Sequence, residues 1–311
     1  MNTLQQIRIA TRRSPLALWQ AHAIKQQLEQ CAPHVQVSLV EIVTQGDIFL
    51  SDRLSERGGK GLFVKELELA LIEGKADIAV HSMKDMTVSM PPALCLAAVS
   101  AREDVRDVLI TQNAKTLQTL PQAAIVGTSS LRRQAQLLAI RPDLCIRSLR
   151  GNVNTRLNKL SAGEYDAIIL AAAGLIRLGL TQHIQAYLSV SEMLPAIGQA
   201  IMGMQCRAND HDLRTLLRAI NNKEAEYCLT AERTLNATLG GHCASPIAGF
   251  AEIKSGRLQL VGKVFSPDGS VQLAASGAAA CEDGVDLGQQ VAQNLLAQGA
   301  ARWLDTENNI D

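Results

Sequence analysis

The sequence predicts an α/β protein with more than one domain. Three observations carry that expectation. Short aliphatic runs alternate with segments of helical period through most of the chain. Polar junctions, several of them bearing arginine, follow the strand-like runs. The 311 residues, 47% of them hydrophobic, suffice for two or three cores.

The elements follow in order. Residues 7–11 read as a strand. Ser14-Pro15 is an N-cap with proline in the first turn, and Leu18, Ala21, Ile24 and Leu28 then recur at helical spacing. Val35, Val37 and Leu39 alternate as a second strand running on to Val43. Residues 44–61 are polar, end in Gly58-Gly59-Lys60-Gly61, and read as a loop or flap carrying a lysine. A helix is expected over 63–73 and a strand over 76–81, which delivers Ser82-Met83-Lys84-Asp85 past its end. A second α/β unit starts near Ala101, with strands over 107–111, 124–127, 145–149 and 165–170. Thr128-Ser129-Ser130 can cap a helix that begins near Leu131. Arg150-Gly151-Asn152 precedes a helix containing Arg156, and a segment with Arg177 follows the last strand. Residues 195–205, PAIGQAIMGMQ, read as a crossover back to the first unit. A helical pattern from Lys223 stops at Leu239-Gly240-Gly241. Strands over 258–265 and 271–275, joined by Ser266-Pro267-Asp268-Gly269, form a hairpin signature, and a final helix covers 287–304. No internal sequence repeat is visible.

Composition excludes some functions. Thirty basic residues balance thirty acidic ones, which speaks against a general nucleic-acid or membrane-surface binder. Aromatics at 3% leave few rings for stacking single-stranded bases. The N-terminal residues lack the apolar core of a signal peptide and no apolar run is long enough to span a bilayer, so a cytoplasmic protein is expected. Seven scattered cysteines without a C-x-x-C pair indicate neither a disulfide framework nor a zinc knuckle, and most are expected to be small buried hydrophobes. His22, His34, His183 and His211 make no ligand spacing, so no metal site is expected.

Against that balance, residues 127–159 hold six arginines (Arg132, Arg133, Arg141, Arg147, Arg150 and Arg156) and Lys159 beside one acid, Asp143. Guanidinium forks fit carboxylates or phosphates with paired bonds, so the block points to a ligand with several anionic groups. A solvated basic face is the alternative. Asp85 is the acid–base candidate, because ligands of open α/β sheets sit outside the carboxyl ends of strands. An N-cap or a surface pair with Lys84 is its plain alternative. His81, at the end of an apolar strand, reads as a core histidine with its hydrogen bonds met. Cys243, in Gly240-Gly241-His242-Cys243, is either a nucleophile or cofactor attachment point, or a buried structural cysteine. Gly58-Gly59-Lys60-Gly61 lacks the phosphate-loop pattern.

Taken together, the motifs resemble the porphobilinogen deaminase (hydroxymethylbilane synthase) family. They are IATRRSPLALWQA at 9–21, TQGD at 44–47, GGKGLFVKELE at 58–68, ADIAVHSMKD at 76–85, VGTSSLRRQAQL at 126–137, SLRGNVNTRLNKL at 148–160, YDAIILAAAGLIRLGL at 165–180, and the cysteine loop. The resemblance implies three domains: 1–100 with 198–219, 101–197, and 220–311. The first two would be lobes like those of type II periplasmic binding proteins, and the third a small α/β domain. It implies a dipyrromethane cofactor held to Cys243 by a thioether, and porphobilinogen as the small-molecule substrate of a monomer. Four porphobilinogen units would be deaminated and joined head to tail on the cofactor, then released as hydroxymethylbilane. Asp85 would be catalytic. Lys84, Ser130, Arg132, Arg133 and Arg150 would hold the cofactor, and Arg12, Ser14, Lys60, Arg156 and Arg177 the substrate. The sequence departs from the family pattern at His242, Ala200, Gln205 and Thr87, where glycine, glycine, glutamate and proline are usual. A non-catalytic bilobal anion-binding protein is the competing expectation, and it has no use for Cys243 or Asp85.

Overall fold

The computed structural model describes residues 5–45, 64–242 and 245–304. In chain order the strands are β1 (Gln6–Arg12), β2 (Gln36–Ile42), β3 (Ile78–Ser82), β4 (Leu94–Val99), β5 (Asp107–Thr111), β6 (Ile125–Gly127), β7 (Cys145–Arg147), β8 (Ala167–Ala171), β9 (Ala186–Leu188), β10 (Met202–Arg207), β11 (Ile247–Lys254), β12 (Arg257–Phe265) and β13 (Gln272–Ala279). The α-helices are α1 (Pro15–Cys31), α2 (Lys65–Ile72), α3 (Leu131–Ile140), α4 (Val153–Ser161), α5 (Ala172–Arg177), α6 (His211–Ala219), α7 (Lys223–Thr238) and α8 (Gly284–Ala297). The chain divides into two compact units, Met1–Glu103 with Ala200–Glu226, and Asp104–Gln199 with Tyr227–Asp311.

The first unit is built on a five-stranded sheet of order β2-β1-β3-β10-β4. Strand β1 runs parallel to β2 and β3, whereas β10 runs antiparallel to β3 and β4. Successive residues of a strand face opposite sides of the sheet. Ile7 and Ile9 of β1 accordingly pack with Ala21, Ile24 and Leu28 of α1 and Leu213 and Leu217 of α6. Ala10 points the other way, toward Leu67 and Leu71 of α2. Each fully buried aliphatic side chain of this kind contributes about 1.5–3 kcal/mol.

The second unit contains two sheets. The larger has the order β7-β6-β8-β5-β9. Strand β6 is parallel to β7 and β8, and β5 is antiparallel to β8 and β9. This is the strand order and direction pattern of the first unit again: a parallel trio, one reversed strand, then an edge strand. The sequence shows no matching repeat. In the first unit the reversed strand, β10, forms from residues that follow the whole second sheet, whereas in the second unit it is β5, which precedes the trio. The smaller sheet is the antiparallel meander β11-β12-β13, whose core residues Leu258, Leu260 and Val264 pack with Leu235 of α7 and Leu287, Val291 and Leu295 of α8. Within this unit α3 is covered by the meander: Ala135 packs with Leu194, Ala248 and Phe265, and Gln134 Nε2 donates to Pro267 O at 3.1 Å.

The mixed α/β class expected from the alternating pattern is the class observed. Several elements are not announced by the sequence. Strands β4, β9 and β11 and helix α6 escape the pattern, and β10 starts within the crossover stretch. Strand β9 is three residues long, and β10 carries Gly203, a residue of low strand preference that the neighbouring strands hold in place. The cysteines need a correction. Among the six described, only Cys206 and Cys228 are buried, while Cys31 and Cys145 are exposed. Cys31 ends a helix and Cys145 opens an edge strand, positions that the surrounding core does not cover.

Among the described residues no helix is long and apolar enough to cross a membrane, and no group of three or more His, Cys, Asp or Glu side chains is placed to hold a metal ion.

Candidate active site

In the first unit the parallel strands β1 and β3 lie side by side, so Arg12 at the end of β1 and the residues after β3 share one edge of the sheet. Ser14 caps α1, its Oγ accepting from Ala17 N at 3.4 Å. After β3 the chain makes a 3-10 turn over Met83–Asp85. Met83 N donates to Ile201 O at 3.0 Å and Met86 N to Met83 O at 3.3 Å, which fixes the turn. Met83 is buried directly against Gly203, where a Cβ would meet its Sδ and force the Met83 side chain to shift. Lys84 is left half-buried and Asp85 exposed.

Behind this turn lies a polar chain. His81 is fully enclosed, and its Nε2 bonds Gln205 Oε1 at 2.9 Å. Gln205 Nε2 in turn donates to Glu68 Oε1 at 2.9 Å. With the amide nitrogen committed to the carboxylate, the His81 proton sits on Nε2. Burial holds the imidazole down at about 4, against opposing contributions from Gln205 and the Asp85 charge, so His81 is neutral. Glu68 is pushed up by burial. Gln205 supplies one donor and one acceptor between a histidine and a carboxylate.

In the second unit β6, β7 and β8 are parallel neighbours, so the junctions after them share one edge. Ser130 caps α3, its Oγ accepting from Arg133 N at 3.4 Å. Ser129 Oγ accepts from Leu149 N at 3.1 Å, tying the ends of β6 and β7 together. Arg132 and Arg133, in the first turn of α3, are buried. Their acid is not Asp143 but Asp107. Arg132 Nη2 reaches Asp107 Oδ2 and Arg133 Nη2 reaches Oδ1, both at 2.7 Å. Asp107 opens the reversed strand β5 opposite Ala171, the last residue of β8, and so stands at the carboxyl edge of the trio. Burial pushes its carboxyl up, but the two guanidiniums outweigh this and hold it well below the usual carboxylate range. Arg132 Nη1 also donates to Leu194 O at 2.6 Å and Arg133 Nη1 to Ile169 O at 3.0 Å.

The remaining arginines divide by role. Arg141 is committed to structure, bonding Asp143 and the carbonyls of Leu117, Gln118, Leu120 and Pro121. Arg150 is half-buried and makes no ion pair among the described residues. Arg156 Nε donates to Gly151 O at 2.8 Å, and Arg177 is buried in the last turn of α5. Ser130, Arg132, Arg133, Arg150, Arg156 and Arg177 are thus delivered by three neighbouring junctions of one sheet. Lys60 and Cys243 lie outside the described residues. On either side of 243–244, His242 N donates to Ser245 Oγ and Ser245 N to His242 O, each at 3.0 Å. Gly241 sits so close to the side chains of Asn236 and Ile247 that a Cβ there would force them to shift.

Two positioning acids are missed by sequence reasoning. The first is Asp107, whose only signal is a charge opening an otherwise apolar strand. It also accepts from Gln199 Nε2 at 3.1 Å. The second is Glu232 of α7, fully buried, which accepts from Gly198 N and Ala251 N at 2.7 Å each. Two residues after Gly198, Ala200 is held at φ 72°, in the left-handed region that favours glycine.

The Nε atoms of Arg132 and Arg133 are both buried, with no hydrogen-bond partner among the described residues. Each is a charged donor that an anionic group would satisfy, and Arg150 stands at the next junction. Such donors fit a cofactor that carries carboxylates.

Fold and site together define a class: an α/β protein with fixed cationic donors at the carboxyl edge of a sheet, suited to an anion-rich small molecule. Residues 7–215 match the model of the porphobilinogen deaminase dipyromethane cofactor binding domain, and residues 226–297 match that of the porphobilinogen deaminase C-terminal domain. The chain belongs to the porphobilinogen deaminase family, whose place is in tetrapyrrole biosynthesis and whose cofactor is dipyrromethane. Among solved structures, the periplasmic VFT2 domain of Bordetella pertussis BvgS is similar at 16% identity and TM-score 0.42, over 71% of this chain and 90% of that one. A probable amino-acid ABC transporter extracellular-binding protein, YtmK of Bacillus subtilis, is similar at 13% identity and TM-score 0.42, over 70% and 90%. A TRAP periplasmic solute binding protein from Desulfovibrio salexigens is similar at 14% identity and TM-score 0.43, over 71% and 74%.

Proposed function

We propose that this chain is a hydroxymethylbilane synthase: a monomeric cytoplasmic transferase that deaminates four porphobilinogen molecules and joins them head to tail on a dipyrromethane held by Cys243. The observation that supports this reading best is the pair of orphaned Nε donors on Arg132 and Arg133, one junction away from Arg150, in a family whose cofactor is dipyrromethane.

When bound, the dipyrromethane supplies the nucleophilic pyrrole carbon on which the product is built. This chain's residues do the rest. Arg132, Arg133 and Arg150, with Ser130 and Lys84, hold the cofactor's acetate and propionate groups. Arg12, Ser14, Arg156 and Arg177 take those of the incoming substrate and growing product. Asp85, anchored by a buried turn yet exposed itself, offers a carboxylate to pyrrole N–H groups. There it stabilises positive charge as ammonia departs and accepts and returns protons. Lys60, on its glycine-rich segment, helps to exclude water. A charge-assisted contact is typically worth about 1.5–3 kcal/mol. Loss of one arginine therefore slows a particular addition step by about 10- to 100-fold, where the loss falls on the transition state.

Intact-mass measurement tests the reading. Purified protein is expected to exceed its sequence mass by two linked pyrrole units, and Cys243→Ser to lack that excess. An active preparation with unmodified mass would overturn the thioether. Anion binding without turnover would return the chain to the non-catalytic alternative.

A further inference from the structure

Two cysteines of the first unit are unused by the proposed reaction. Cys95 in β4 and Cys206 in β10 are direct partners across an antiparallel strand pair, with their Sγ atoms 3.9 Å apart. Opposed residues on such strands have Cα atoms about 4.5–5.5 Å apart, a span that a disulfide bridges. Both side chains lie on the sheet face covered by α1 and α6, where Cys206 belongs to the core and Cys95 packs against it. Cys206 is closed off and Cys95 is only partly buried. One sulfur is therefore reachable by a small reagent, and the other is in place to complete a bond. Burial, then the adjoining Cys95, pushes the Cys206 thiol up to about 12, so it ionises little at neutral pH.

We propose that Cys95 and Cys206 form a reversible intramolecular disulfide, entered by exchange of Cys95 with a low-molecular-weight disulfide, R–S–S–R. The Cys95 thiolate attacks one sulfur of that reagent, forming Cys95–S–S–R, and the first R-thiolate leaves. The Cys206 thiolate then attacks Cys95 Sγ, forming the protein disulfide, and the second R-thiolate leaves. Two protein thiols are oxidised, one small disulfide is reduced, and the two protein protons end on the two R-thiolates. The chain leaves the first unit from β4 and returns to it through β10. The bond thus closes a loop that contains residues 104–199. Cys206 pairs with Ile78 at the start of β3, the end of the strand remote from Asp85. Oxidation should therefore raise thermal stability and spare turnover.

The test uses the full chain with the exposed thiols removed by Cys31→Ser and Cys145→Ser. Protein carrying the Cys95 mixed disulfide is made with oxidised glutathione, freed of excess reagent, held at pH 7 or pH 9, and digested without reduction. A peptide pair joining Cys95 to Cys206, lighter by two hydrogens than its thiol forms, is expected. Closure should be roughly 100-fold faster at pH 9, following the Cys206 thiolate. Dithiothreitol should reverse it, and the oxidised form should melt several degrees higher. Cys206→Ser should stop at the mixed disulfide, and Cys95→Ser should leave Cys206 unmodified. A mixed disulfide that never closes at pH 9, a Cys95 that never reacts, or a linked pair formed only in urea would each overturn the proposal.

Discussion

The two five-stranded sheets share strand order and direction, yet the corresponding places at their carboxyl edges carry different side chains. In the second unit the reversed strand β5 opens with Asp107, paired with the last residue of β8. In the first unit the reversed strand β10 opens with Met202, paired with Ser82, the last residue of β3. The positions correspond, but one carries a carboxylate and the other a thioether. Where the acid stands, the sheet buries two guanidiniums. Where methionine stands, no ion pair is buried at that place among the described residues, with Met83 beneath the turn and Asp85 outside. The difference teaches that a buried charge at such an edge is set by one residue on the strand that enters from elsewhere in the chain. The first unit is left with an exposed carboxylate at its turn, and the second with two guanidiniums fixed on a buried acid.

The comparison can be broken from either side. The largest effect is expected at Asp85. Asp85→Ala should lower turnover of porphobilinogen by about 10²- to 10⁴-fold while the melting temperature stays put, because the side chain is exposed. Near-normal turnover would remove the chemical half of the contrast. At Asp107 the order reverses. Asp107→Ala leaves two buried guanidiniums without their counter-ion and should cost about 3–5 kcal/mol in urea unfolding. Wild-type stability in that variant would show that the buried pair is not what the edge depends on.

The next effect sharpens the first-unit side. His81 has its folded-state value at about 4, below the ordinary histidine range. Between the unfolded value of about 6.5 and the folded one, the unfolded chain binds a proton that the folded chain refuses. Stability should be fully present above about pH 6.5 and fall as pH drops toward 4, by about 3 kcal/mol in all. His81→Gln should flatten that window in pH-resolved unfolding, and an unchanged slope would assign it to other groups. The smallest effect is at the chain crossing. Ala200 at φ 72° carries left-handed strain, so Ala200→Gly should raise stability by about 1 kcal/mol, read as a small rise in melting temperature.

Much of this was legible locally. Ser14, Ser130 and the strand-end placement of Asp85 follow from caps and apolar runs that span a few residues, and the structure puts each of them at such a place. The arginine block was legible as an excess of positive charge but misleading about its neutralisation. Asp143 pairs with Arg141 and accepts from Ala123 N, while the acid for Arg132 and Arg133 lies 25 and 26 residues upstream. His81 was legible as a core histidine, but its partner Gln205 is 124 residues away, and no local pattern could name it.

The sequence by itself determined the periodic elements, the helix starts and the family, because these rest on neighbours in the chain and on motifs that survive as strings. Tertiary structure alone decided which acid meets which arginine, which histidine stays neutral, and which cysteines face each other. Those outcomes hang on two strands, β5 and β10, laid antiparallel into sheets by contacts far apart in sequence. Direction and register in such a pairing put particular side chains side by side, and only the folded chain sets either one.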